Sequence, residues 1–92
     1  MPSRFVHLHV HSEYSVLDSS CRLSDLIERA SAGGMGALAL TDHGVLSGAV
    51  KFYREARDRG IRPVLGCEVY VAPGSRRDRA GGEGGRYFHL VL

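Results

Sequence analysis

Cysteine is scarce in this sequence, since the 92 residues include only Cys21 and Cys67. The two lie far apart and form neither a CxxC pair nor a regular framework, which argues against a disulfide scaffold and against a zinc ribbon. Long apolar runs are missing too, because none approaches the roughly 20 residues that a membrane span needs. The N-terminus also lacks the charged-then-apolar order of a signal peptide. We therefore expect a soluble, cytoplasmic protein.

Several common functional signatures are absent as well. No GxSxG elbow, Walker loop or GxGxxG pattern follows a predicted strand, so a serine hydrolase or a nucleotide-binding fold has no sequence support. The net charge of +2 is too even to indicate, by electrostatics alone, a protein that coats nucleic acid. With 43% hydrophobic and 24% charged residues, the composition is that of one small globular domain and not of a disordered or fibrous chain.

The hydrophobic pattern alternates between a period of two and a period near 3.6. It predicts strands near residues 4–11, 37–41, 62–71 and 86–92 and helices near residues 24–32 and 46–59. This order is typical of an α/β protein whose parallel strands are joined by right-handed crossovers. Two helices can hardly cover both faces of four parallel strands. We therefore expect a truncated piece of a larger barrel or doubly wound domain, whose exposed sheet edge a second copy of the chain would protect.

Two histidines lie two residues apart in the first predicted strand. On a strand, His9 and His11 share a face with their Cα atoms about 6.6 Å apart, and imidazoles at that spacing can bind one ion through bonds of about 2.0–2.1 Å. The alternative is a pair of surface histidines on an amphipathic strand. The turn-like residues 12–15 favour a metal site, because reacting groups in parallel α/β folds gather at the carboxyl ends of strands. His7, deeper along the strand, is interpreted as structural.

Similar residues occur in and after the next two predicted strands. His43 follows an apolar run and is assigned as a metal ligand that the adjacent Asp42 orients, with a helix cap as the alternative role for Asp42. Glu68 lies inside the apolar run of residues 66–71, where burying a carboxylate is costly without a cation. An exposed edge position is the alternative for Glu68. Together, the three strands should bring imidazole and carboxylate groups to one rim, which suits zinc, manganese or iron.

Three stretches, at residues 5–15, 40–44 and 66–76, carry a resemblance to a known family. The first contains an HxH pattern and the second a histidine after an aspartate, and with residues 87–90 they extend the resemblance over essentially the whole chain. On these motifs the sequence resembles the polymerase and histidinol phosphatase (PHP) domain, in the version carried by bacterial replicative DNA polymerases. The resemblance implies the first half of a (β/α)7 barrel, with residues 1–92 as the N-terminal fragment of a single domain.

The resemblance also implies a centre of up to three divalent metal ions, zinc or manganese, with no catalytic residue apart from the ligands. The positions that match the family's ligands are His9, His11, Asp18, His43, Glu68 and His89. The implied chemistry is phosphoester hydrolysis, including 3'-5' exonuclease proofreading, in a parent DNA polymerase that contacts DNA and other replicase subunits. A stand-alone phosphatase of the histidinol-phosphatase type and a non-catalytic, metal-stabilised scaffold are the alternatives. The isolated fragment is expected to be inactive.

Overall fold

The computed structural model describes residues 4–17, 19–77 and 87–92. The helices and strands in this part of the chain are α1 (Leu23–Ala32), β1 (Ala37–Leu40), α2 (Ala49–Asp58), β2 (Arg62–Leu65), β3 (Glu68–Val71) and β4 (Phe88–Val91). Strands β1 and β2 pair in parallel, whereas β3 and β4 pair antiparallel. The α/β fold class predicted from the sequence is confirmed, but several strands differ from their predicted form. Within the described residues, no helix is both long and apolar enough to cross a membrane.

The two helices lie close to their predicted positions. Helix α1 begins at Leu23, one residue early, because Leu23 is buried together with Ile27 and Ala30 on the apolar face of the helix. Helix α2 begins at Ala49, three residues later than predicted. Leu46, at the predicted start, is exposed and gains no burial from joining the helix. Helix α1 therefore begins at its first core residue, and α2 begins one turn before its first core residue, Phe52.

The apolar core lies between the two helices and β1. Its buried members are Leu23, Ile27, Ala30, Leu38, Leu40, Phe52, Ala56 and Ile61. Among the described residues that follow Ile61, Glu68 alone is buried. Packing in the core thus fixes β1 and, through its parallel pairing, β2, and it leaves the carboxyl ends of both strands to carry polar residues.

The parallel register of β1 and β2 runs from Ala37 opposite Arg62 to Leu40 opposite Leu65. The same offset continues beyond both strands, where His43 and Glu68 form an isolated parallel bridge. There the N–H group of Gly44 donates a hydrogen bond of 2.8 Å to the carbonyl oxygen of Glu68. Residues opposite each other in a ladder point to the same face. The register therefore places the side chains of His43 and Glu68 next to each other.

The third predicted strand, near residues 62–71, is two strands in the structure, so the prediction of one continuous strand was wrong. Strand β2 ends before Gly66, and β3 begins at Glu68. The carbonyl oxygen of Leu92 occupies the space where a Cβ atom on residue 66 would stand, so glycine is needed for this close approach. Cys67 then exchanges two backbone hydrogen bonds with Leu92, of 3.0 and 2.9 Å. The chain thus turns at Gly66 from its pairing with β1 towards β4.

The fourth predicted strand, near residues 86–92, was expected to be parallel, and this is also corrected. Strand β4 runs antiparallel to β3, with Tyr70 opposite His89. A parallel connection needs a crossover, usually a helix, whereas antiparallel strands need only a loop. Residues 72–87, which connect the two strands, include five glycines and show no helical pattern in their sequence. A connection without a helical pattern in its sequence favours the antiparallel direction that β4 shows.

The first predicted strand, near residues 4–11, runs beside β1 but is not a regular strand. The prediction of a regular strand here was therefore wrong. The N–H groups of Ala39 and Thr41 donate to the carbonyl oxygens of His7 and Val10, at 3.1 and 2.8 Å. These two acceptors are three residues apart, where a regular parallel ladder spaces them two apart. One extra residue therefore bulges from the ladder, and the N–H group of Val10 instead donates to Oγ1 of Thr41 at 2.8 Å.

Candidate metal centre

Glu68 lies at the centre of a cluster of histidines, with a side chain that is only 6% exposed. Its Oε1 atom accepts a hydrogen bond of 2.6 Å from Nε2 of His9. Its Oε2 atom lies 3.6 Å from Nε2 of His11 and 3.5 Å from Nδ1 of His43. Nδ1 of His89 is 3.7 Å from the same oxygen. Imidazoles from three separate segments of the chain thus surround one buried carboxylate.

The structure brings together five of the six candidate ligands. They are His9, His11, His43, Glu68 and His89. Asp18, the sixth, lies outside the described residues. His7 is exposed and packs its ring against Phe5, with the ring centroids 4.7 Å apart, so it is a surface residue and not part of a core.

The cluster divides into two groups that share Glu68. His9, His11 and Glu68 form the first group, and His43, Glu68 and His89 form the second. In each group the three potential ligand atoms lie within 4.8 Å of one another. A carboxylate has two oxygens, so Glu68 can serve both groups at once. Either group could hold a metal ion.

The donor atoms fit a transition-metal ion. Neutral imidazole nitrogens combined with a carboxylate are typical ligands of zinc and of similar divalent ions. Nε2 of His11 is buried and has no hydrogen-bond partner among the described residues. A buried polar atom of this kind is costly unless it finds a partner, and a bound ion would supply one. The residues present therefore fit a metal centre.

Asp42 lies outside the cluster and links the two segments that carry His11 and His43. Its Oδ1 atom accepts hydrogen bonds from the N–H group of Ser12 at 2.6 Å and from Oγ of Ser15 at 2.9 Å. Its Oδ2 atom accepts one from Oγ of Ser12 at 2.9 Å. Oγ of Ser15 in turn accepts from the N–H group of His43 at 2.9 Å. This buried, charge-assisted network fixes the backbone beside both histidines. Asp42 does not cap α2, whose N-cap residue is Gly48.

The hydroxyl residues beside the candidate ligands were missed in the sequence. Ser12 follows His11 directly, Thr41 precedes Asp42, and all of them are buried. Small hydroxyl side chains next to candidate ligands at strand ends are the signal that could have found them, because a buried serine or threonine needs a hydrogen-bond partner. Thr41 shows the same behaviour, since its Oγ1 atom donates to the carbonyl oxygen of Val10 at 3.2 Å.

The histidine rings pack against each other in a row. The ring centroids of His9 and His11 are 5.2 Å apart, and those of His11 and His43 are 5.7 Å apart. The row ends at His89, whose centroid is 4.7 Å from that of His43. Exposure increases towards both ends, from 15% for the His43 side chain to 57% for His9 and 47% for His89. The cluster is thus closed at its centre and open at its ends.

Comparison with known families agrees with this geometry. The profile of the PHP domain matches residues 7–92, and the chain belongs to the PHP domain family. The sequence is 48% identical to DNA polymerase III subunit alpha of Borreliella burgdorferi over 98% of this chain, and 51% identical to that of Treponema pallidum over 96% of it. The chain spans only 8% of the length of each of these relatives. The resemblance to the PHP domain of replicative polymerases is therefore confirmed.

One solved structure matches the fold closely. It is an amidohydrolase from Chromobacterium violaceum with bound sulfate and no metal. The two structures superpose with a TM-score of 0.70 at 32% sequence identity, and the match covers 94% of this chain and 26% of that one. The arrangement of strands and helices described above is thus found within a longer protein.

Proposed function

We propose that this chain is the N-terminal part of a PHP domain in the alpha subunit of DNA polymerase III, and that its histidine cluster belongs to a metal centre that hydrolyses phosphoesters. The burial of Glu68 among four imidazoles carries this proposal. DNA polymerisation belongs to the same proposal, as do binding to DNA and to other replicase subunits. Its support is the identity of about half of the residues with curated alpha subunits.

The exposed apolar surface of the strands supports a place within a larger domain. Large apolar side chains on and after β2 remain exposed in the described part of the chain. They are Val64, Leu65, Tyr70, Val71, Tyr87, Phe88, Leu90, Val91 and Leu92. Exposed apolar side chains in this number along neighbouring segments are typical of a surface that other parts of a protein cover. Further elements of a barrel would cover these side chains.

The ligands of the proposed centre determine its charge. Glu68 contributes one negative charge, and its four neighbouring imidazoles bind metal in their neutral form. Divalent ions held in such a centre lower the pKa of bound water towards about 7 and neutralise phosphoryl oxygens. With a single carboxylate among the described ligands, positive charge remains to attract an anionic phosphate.

The burial of the ligands determines which side of the centre a substrate can reach. The hydrogen bonds of Asp42 hold the backbone beside His11 and His43 on the buried side. His9 and His89 lie at the exposed ends of the row. A phosphoester therefore approaches along the ends formed by His9 and His89, while the Glu68 carboxylate stays shielded from water.

The test uses single-stranded DNA labelled at its 5' end. The full-length gene product is supplied with Zn²⁺ or Mn²⁺, and cleavage of the DNA is measured. We expect metal-dependent shortening from the 3' end, because the proposed centre acts on terminal phosphodiesters. Glu68→Gln should abolish the shortening, since the amide removes the shared anionic ligand. His7→Ala is the matched control and should cleave like the wild type, since His7 is exposed and outside the cluster.

Other outcomes contradict parts of the proposal. Bound metal without any metal-dependent cleavage overturns the hydrolytic role and favours a metal-stabilised scaffold. Cleavage of a small phosphate monoester but not of DNA overturns the exonuclease role and favours a phosphatase. Cleavage that survives Glu68→Gln assigns the activity to another site.

A further inference from the structure

Tyr70 lies beside the second group of candidate ligands. The β3–β4 register places it opposite His89, and it is two residues from Glu68, so all three side chains share one face of the hairpin. The centroid of the Tyr70 ring is 5.0 Å from that of His43 and 5.5 Å from that of His89. The Tyr70 ring therefore packs against both histidines of the second group.

The position of the Tyr70 ring is fixed from two further sides. The ring of Tyr87 packs edge to face against it, with the centroids 4.5 Å apart. On the other side is Gly44, where an added Cβ atom would come within 3.2 Å of Cε2 of Tyr70. Gly44 directly follows His43 and has a φ angle of 71°. The tyrosine thus fits closely against the backbone next to one ligand and against the ring of the other.

We infer that Tyr70 is a positioning residue that holds the imidazoles of His43 and His89 for metal binding by the second group. The inference rests on the metal centre proposed above. An imidazole must keep one orientation to bind an ion, and rotation about its χ2 bond is otherwise broad. His89 depends most on this packing, because its side chain is 47% exposed. Tyr70 touches the ligands and not the reacting atoms, so its effect falls on metal affinity.

The experiment uses Co²⁺ as a probe, because bound Co²⁺ absorbs visible light in a way that depends on its ligands. The full-length gene product is stripped of metal and titrated with Co²⁺ in the presence of a competing chelator. Tyr70→Leu should weaken Co²⁺ binding at one class of site by about tenfold, the lower end of the range for groups that orient metal ligands, and should change the visible spectrum. Tyr70→Phe keeps the ring contacts with both histidines and should therefore lose less affinity than Tyr70→Leu.

Tyr53→Leu is the matched control for loss of an exposed tyrosine. Tyr53 lies on α2, is 44% exposed and faces Arg57, with the guanidinium carbon 5.6 Å from the ring centroid. The Tyr53→Leu variant should bind Co²⁺ with the affinity of the wild type. If Tyr70→Leu does not fold, Tyr70→Met takes its place, because methionine keeps a long apolar side chain without a ring.

Double variants identify the group through which Tyr70 acts. In a His89→Ala background, where only His43 remains for Tyr70 to hold, Tyr70→Leu should cause a smaller loss of affinity than in the wild type. In a His9→Ala background it should cause the same loss of about tenfold as in the wild type. The inference is wrong if Tyr70→Leu keeps the wild-type affinity and spectrum, or if its effect adds fully to that of His89→Ala.

Metal binding and hydrolysis are read separately in this design. If the wild-type protein binds Co²⁺ but cleaves no phosphoester, the proposed hydrolysis fails, while the binding data still decide the role of Tyr70. If the wild-type protein binds no Co²⁺, both the proposed centre and the role of Tyr70 are overturned.

Discussion

Two parts of the described chain bury different kinds of side chain: residues 23–61, called the first half below, and the described residues from 62 onwards, called the second half. From Leu23 to Ile61, the buried residues are mostly apolar and form the core between the helices and β1. In the described residues from 62 onwards, the one buried residue is Glu68, a carboxylate. The first half is therefore held by packing, whereas the β3–β4 hairpin contributes burial only through the candidate metal centre.

This difference separates stability from metal binding. Burial of apolar side chains stabilises the fold in the first half, and the same packing fixes the strand ends that carry His43. The hairpin adds Glu68, the candidate ligand that both groups share, and His89, an exposed candidate ligand. Substitutions in the core should therefore change the free energy of unfolding, and substitutions in the hairpin should change metal affinity.

The largest expected effect on stability comes from Phe52→Ala. Phe52 is buried in α2 against the core, and truncating a buried phenylalanine costs about 3–5 kcal/mol of unfolding free energy. Urea unfolding followed by circular dichroism measures this loss. Tyr53→Ala, at the next and exposed position of the same helix, is the control and should cost far less. If Phe52→Ala and Tyr53→Ala lowered the free energy of unfolding equally, burial in the core would not explain the stability of the first half.

Glu68→Gln should have the largest effect on metal affinity. The substitution removes the anionic side chain that both groups share. Losing a residue that only supports a metal ligand costs up to about 100-fold in affinity, so we expect Glu68→Gln to lower the Zn²⁺ affinity by at least about 100-fold. Competition with a chelator measures it. Glu28→Gln replaces an exposed glutamate of α1 and should bind Zn²⁺ like the wild type. Unchanged affinity in Glu68→Gln would show that the hairpin does not supply the main ligand.

Asp42→Ala should affect both properties, because Asp42 belongs to the first half of the chain and supports ligands on either side. The substitution leaves the buried hydroxyls of Ser12 and Ser15 without the carboxylate that accepts their hydrogen bonds. We expect this to lower the free energy of unfolding by about 1–3 kcal/mol. Zn²⁺ affinity should also fall, by about 10-fold or more. Asp58→Ala, at an exposed site on α2, is the control. A variant that loses stability but keeps full Zn²⁺ affinity would refute the orienting role.

Ser15→Ala should have the smallest effect of the set. It removes one hydrogen bond to Asp42 and one from the N–H group of His43, and a net loss of about 1 kcal/mol is expected. Urea unfolding measures it, with Ser20→Ala at an exposed position as the control. A loss as large as that of Asp42→Ala would mean that the network depends on Ser15 and not on the carboxylate.

The meeting of two members of the cluster could be predicted because each follows the end of a parallel strand. His43 and Glu68 continue one parallel register, and strands that end at one edge bring their following residues together. The pairing of His9 with His11 followed from the two-residue period of an extended chain. Local patterns of this kind predicted that His9, His11, His43 and Glu68 lie next to one another, whereas His89 was assigned only through the family resemblance.

The errors concern features that depend on distant parts of the chain. The break at Gly66 exists because the backbone of Leu92 approaches there, and no local pattern contains that contact. The irregular pairing of residues 7–10 depends on the Oγ1 atom of Thr41, which is more than thirty positions away in the sequence. The antiparallel direction of β4 is a different case: a strand pattern alone carries no direction, and the lack of a helical pattern in residues 72–87 is the signal that was missed.

The most direct test of the metal centre is the position of the ions themselves. A crystal of the full-length gene product, soaked with Zn²⁺ and measured at the zinc absorption edge, locates bound zinc by its anomalous scattering. The account predicts a peak bound to an oxygen of Glu68 at about 2.0–2.2 Å, with nitrogens of the surrounding histidines as further ligands. Zinc peaks only at other residues, with the Glu68 carboxylate unbound, would contradict it.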